Sequence, residues 1–129
     1  MTLKTMLYER FNEKAYELFT DLSNNFPNIK QFRTIKSGIL MMSSLDIKTP
    51  ERVFKNFISE KFKTQILEKN DTFFLNHNEY KIEKGQEDEW NSFITEIKNI
   101  WPNLEQNNKD IIWKYFHILL VLSDKCNCV

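Results

Sequence analysis

The chain has 129 residues, 41% of them hydrophobic and eleven of them Phe, and its 18 Lys plus Arg balance 18 Asp plus Glu. That length suits one domain, and the apolar share is too large for a disordered segment. Zero net charge supplies no global field toward phosphate backbones or anionic lipid, and two Gly with three Pro leave too few breakers for an all-β architecture.

Leu3, Met6, Leu7, Phe11, Ala15, Leu18, Phe19 and Leu22 recur at three- and four-residue steps, which predicts a helix to about Asn24 with one buried stripe. Lys4, Glu9, Arg10, Glu13 and Lys14 interleave with that stripe, so no targeting segment is expected there. Phe32, Ile35, Ile39, Leu40 and Met42 suit a second helix between Pro27 and Asp46, weakened in its middle by Ser37-Gly38.

Thr49-Pro50-Glu51 is a start signal: Thr can cap, Pro fits the first helical position, and Glu favours the positive end of the dipole. The helix it opens carries Val53, Phe54, Phe57, Ile58, Phe62, Ile66 and Leu67 to about Lys69. Lys55, Lys61, Lys63 and Lys69 alternate with these aromatics, a pattern compatible with a single-strand nucleic-acid surface. Glu51, Glu60 and Glu68 dilute the charge, so a core stripe backed by a solvated face is the better reading.

Asp71 is expected to cap a short turn holding Phe73-Phe74-Leu75, followed by the longest connection, Asn76 to Gly85. His77 lies in that connection without a second His or Cys at ligand spacing. Gln86-Glu87-Asp88-Glu89 reads as the acidic first turn of a further helix and not as an acid/base pair. Trp90, Phe93, Ile94, Ile97, Ile100 and Trp101 form its seam until Pro102 stops it.

Ile111 to Leu122 is the most apolar stretch of the chain. Its twelve residues fall short of the roughly 20 a membrane span needs, and apolar side chains cover most of its circumference, which predicts a buried helix. Asn107 or Asn108 caps it, and Asp110, Lys114, His117 and Asp124 form a polar strip with His117 at a solvent edge. Trp113 is either core or a partner-facing aromatic.

Cys126-Asn127-Cys128-Val129 has the C-a-a-X form that would place a prenyl group on Cys126, although Asn127 is not aliphatic and a single chain anchors only marginally. The alternative is a frayed tail over 126–129. Two cysteines there cannot staple a fold. There is no Gly-rich phosphate loop, G-x-S-x-G, H-E-x-x-H or EF-hand loop, so neither a catalytic centre nor a cofactor or metal is expected.

The segments Leu18-Phe19-Thr20-Asp21-Leu22 with Phe26-Pro27, Phe54 to Ile58, Asp71 to Asn76, and Asn108 to Phe116 followed by Leu119 to Lys125 resemble the uncharacterised short helical proteins of large DNA viruses of algae and protists. The resemblance covers about five-sixths of the chain. It implies a viral protein in the infected-cell cytoplasm or a minor place in the virion, and brings no site residues with it.

The expectation is therefore a single all-α domain, residues 1–129, of five or six helices packed around a buried C-terminal helix. Its function would be non-enzymatic, through a viral or host protein partner, with homo-oligomerisation open. A nucleic-acid-associated role on the Lys-bearing 49–69 helix is the alternative.

Overall fold

The computed structural model describes residues 2–70 and 89–128, the side chains of Phe57, Lys61 and residues 89–94 excepted. The expected Asp71 to Leu75 turn, the Asn76 to Gly85 connection with His77, and Gln86 to Asp88 lie outside the described residues.

Six α-helices and no strand occur among the described residues: α1 (Leu3–Asn25), α2 (Lys30–Leu45), α3 (Thr49–Phe54), α4 (Glu60–Leu67), α5 (Glu89–Ile100) and α6 (Gln106–Cys128). The all-α class is as expected. Helix α1 starts where Thr2 Oγ1 accepts the Thr5 amide at 3.1 Å, and it ends before Pro27 with the Phe26 amide on the Leu22 carbonyl. Helix α2 runs through Gly38 unbroken, because Phe32, Ile35 and Ile39 are buried along one side of it and packing outweighs the roughly 1 kcal/mol glycine penalty.

Between α3 and α4 the chain stays helical but widens to a π-helical turn over Lys55–Ser59. The expected single helix is thus a bulged one, with both Phe54 on one side of the bulge and Ile66 beyond it kept in the core. Thr49 is not its cap: the cap position is Lys48, no side chain bonds there, and Asp46 closes the turn by accepting the Lys48 and Thr49 amides. At the other end the Lys69 amide bonds the Ile66 carbonyl and the Asn70 amide the Gln65 carbonyl, a Schellman closure in which Lys69 takes φ 52°.

Helix α1 packs against both α2 and α6, α2 also carries α5, and α4 covers α6. The core is threaded by ring contacts. Phe11 of α1 lies 5.4 Å from Phe54 of α3, Phe54 lies 6.5 Å from Phe116 of α6, Phe116 lies 6.3 Å from Trp113, and Trp113 meets Trp101 edge-on at 5.6 Å. Edge-to-face and tilted pairs of this kind contribute beyond their area. Ile112, Phe116, Leu119 and Leu120 are all buried within the chain, so the most apolar stretch is architecture.

Candidate functional site

Trp113 belongs to that architecture. It is 2% exposed, held between Trp101 and Phe116, and the partner-facing role open to it in the sequence is corrected: no partner reaches it while the core is closed.

Cys126 is also placed differently from expectation. Helix α6 continues through Cys128, six residues past the apolar run, and Cys126 is buried inside it while Cys128 is exposed. Burial and the nearby Glu51 carboxylate push the Cys126 thiol up to about 11. A buried, protonated thiol in a helix is neither an accessible acceptor for a prenyl group nor part of a frayed tail.

The reason the terminus stays helical is a polar contact the sequence did not announce. Glu51, in the first turn of α3, is 2% exposed. Its Oε1 accepts the Ser123 hydroxyl at 2.7 Å and the Asn127 amide at 2.9 Å, and Asn127 also donates to the Ser123 carbonyl at 2.7 Å. Lys55 Nζ donates to Asn127 Oδ1 at 3.3 Å. A carboxylate read from the sequence as a favourable dipole partner is in fact the clasp between α3 and the end of α6, and the burial of these hydrogen bonds is what makes it specific.

The lysine face shows a similar commitment. Lys63 Nζ lies 2.9 Å from Asp124 and Lys55 is on Asn127, so two of the four lysines are turned to the end of α6. Lys69 is exposed at the helix terminus, and the Lys61 side chain lies outside the described residues. His117 is half-buried, and its Nε2–H donates to the Ile66 carbonyl at 2.9 Å; a carbonyl can only accept, which fixes the proton on Nε2. The polar strip of α6 is therefore divided: Asp110 and Lys114 face solvent, while His117 and Asp124 hold α4.

Exposed apolar surface lies elsewhere. On the second half of α2, Leu40, Met41 and Leu45 are 51%, 66% and 82% exposed, on the side away from Ile35 and Ile39. Beside them a cleft of about 330 Å³ opens between Glu9, Asn12, Glu13 and Tyr16 of α1 and Ile39, Leu40 and Ser43 of α2, closed at one end by Ile47. Asn12 donates through Nδ2 to the Ile47 carbonyl at 3.0 Å and so ties the α2–α3 connection to α1. Scattered exposed leucines need no explanation, but three large apolar side chains on one helix beside a cleft are a contact surface. Sequence spacing had placed Leu40 in the buried stripe of α2. What exposes it is the direction from which α1 and α5 approach.

Among the described residues no group of three His, Cys, Asp or Glu side chains is arranged to hold a metal, and no helix is long and apolar enough to cross a membrane. Comparison of the chain with protein-family models, with curated proteins and with solved structures finds no match.

Proposed function

We propose that this protein is a non-enzymatic binding module that docks a protein partner on the outer face of α2. The observation that carries the reading is the exposure of Leu40, Met41 and Leu45 on a helix whose opposite face is fully committed to the core. Centrally placed apolar anchors ringed by polar groups, here Ser43, Ser44 and Glu13, are the usual composition of a docking patch. The setting we propose, infected-cell cytoplasm or a minor virion component, is supported by the sequence resemblance. Quantitative mass spectrometry of purified virions separates these two versions.

The docking surface is tested by placing a photo-crosslinking residue at Met41 and, as a control, at Glu105, which is exposed on the connection before α6. The expected outcome is a discrete adduct from position 41 alone, lost when Leu40→Glu and Leu45→Glu are added. Equal adducts from both positions, or none from 41, would sink the reading.

A further inference from the structure

A second surface, on the other flank of α1, has a pattern the docking reading does not use. Helices α1 and α6 run antiparallel: the Tyr115 hydroxyl donates to Asp21 at 2.6 Å, one cleft is lined by Asp21, Ile111 and Ile118, and the next by Arg10, Ile118 and Val121. The two clefts share Lys14 and Ile118 and form one groove, about 320 and 370 Å³ in its two parts. Arg10 to Asp21 spans about 16 Å of helix at 1.5 Å per residue.

The residues facing outward along this groove are spaced by threes and fours on both helices. On α1 they are Arg10, Lys14, Glu17 and Asp21; on α6 they are Ile111, Lys114, Ile118 and Val121. Ile111 is 44% and Val121 52% exposed, although their neighbours Ile112 and Leu120 are buried. Such a three-four alternation is the spacing that lets a helix pair accept further helices side by side.

The charges have an order. Along α1 they read plus, plus, minus, minus, and this order is turned into its opposite when the helix is reversed. Its midpoint, between Lys14 and Glu17, lies level with the midpoint of the apolar set on α6, because Lys14 sits beside Ile118 and Asp21 beside Ile111 and Tyr115. A two-fold axis through that level brings Arg10 against Asp21 of a second copy and Lys14 against its Glu17. The same operation sets Ile111 against Val121 and lays the Lys114 stem along Ile118.

We propose that the α1–α6 face is the isologous interface of a homodimer, a four-helix contact in which α1 and α6 of each copy pack on those of the other. Self-complementarity under a two-fold is the requirement for a closed dimer, and this face meets it in charge and apolar position together. In the single chain Lys14 pairs with Glu17 at 3.1 Å and Asp21 takes the Tyr115 hydroxyl, so the face is stable when free. The apolar seam supplies the attraction, and the charges set the register.

The test is sedimentation equilibrium of the full chain over a concentration series. Wild type should pass from 15.6 kDa to twice that mass as concentration rises. The doublets Arg10→Glu/Lys14→Glu and Glu17→Lys/Asp21→Lys should each raise the dissociation constant at least about 100-fold, by setting like charges opposite one another. Mixed, the two doublets should form a heterodimer, which also shows that both are folded. If a doublet loses its helical circular dichroism, Val121→Glu on the same face carries the same expectation. A wild type monomeric up to about 1 mM, a millimolar dissociation constant being marginal binding, overturns the proposal. So does a doublet or Val121→Glu that dimerises as wild type, or a doublet mixture that stays monomeric.

Discussion

Helices α2 and α6 differ in how much of their apolar surface is covered. The 111–122 stretch of α6 is the most apolar in the chain and most of its large side chains are inside, whereas α2 mixes Lys, Arg and Ser with its apolar residues and still presents Leu40, Met41 and Leu45 to solvent. The difference is which sides of each are covered. Helix α6 is met by α1 and α4 and, through Trp113, by the Trp101 turn. Helix α2 is met by α1, α5 and α3, but the side bearing Leu40, Met41 and Leu45 stays open. Apolar content predicts that a helix has a buried face; the packing neighbours decide how wide that face is.

The contrast is sharpest in a pair of truncations. Phe116→Ala removes a ring that touches both Phe54 and Trp113 and should cost about 3–5 kcal/mol, while Met41→Ala on the open side of α2 should stay within about 0.5 kcal/mol. Urea unfolding followed by circular dichroism measures both, and equal losses would break the comparison. Next comes the clasp at the end of α6. Glu51→Ala strands the Ser123 and Asn127 donors and should cost about 2–3 kcal/mol, with Glu51→Gln, which keeps an acceptor, costing less.

Alkaline pH probes the buried side by a third route. Burial raises Tyr8, with Glu51 adding to it; burial and then the bond to Asp21 raise Tyr115; and Cys126 stands at about 11 against an ordinary 9.0. In each case the folded chain holds its proton more firmly than the unfolded chain. The Cys126 contribution is complete below about pH 9, the unfolded value of the thiol, and is lost as pH rises through about 11; those of Tyr8 and Tyr115 are complete below the ordinary 10.0 and are lost as pH rises through their raised folded values. Melting temperatures at stepped pH should fall across that window, less steeply in Cys126→Ala. The same burial predicts that Cys128 alone reacts with a thiol reagent in the native protein, and both cysteines in denaturant.

A smaller effect, of opposite sign, is expected at the end of α4. Lys69 occupies a left-handed position that glycine adopts without a steric penalty, and Lys69→Gly should raise stability by about 1 kcal/mol, read from the urea midpoint. Because Lys69 also belongs to the lysine face, the same variant leaves a nucleic-acid reading one cation poorer. Retention on a nucleic-acid column at low salt, with a slope that falls in the variant, would revive that reading.

Much of the fold was legible. The three- and four-residue steps of Phe11, Ala15, Leu18 and Leu22 located α1 and its buried side, and Phe32, Ile35 and Ile39 did the same for α2. Both inferences rest on local periodicity, which one helix suffices to express. The candidate surfaces were far less legible. Leu40 and Ile111 look as buried in sequence as Ile39 and Ile112, since adjacent apolar residues on a wide stripe differ only in which neighbour covers them. The charge order on α1 is visible in the chain, but it acquires meaning only when α6 is laid beside it.

The sequence by itself determined the helices, the presence of one apolar core, and the neutrality of the charge, because these follow from periodicity and composition. Only the tertiary structure decided that Glu51 is a buried clasp and not a solvated first-turn carboxylate, that Cys126 is sealed in a helix, and that α2 and the α1–α6 groove leave apolar side chains open to solvent. The physical reason is that burial and hydrogen bonding between residues 72 or more positions apart, as in Ser123 and Asn127 on Glu51, depend on how helices are placed in space, and no local pattern encodes that placement.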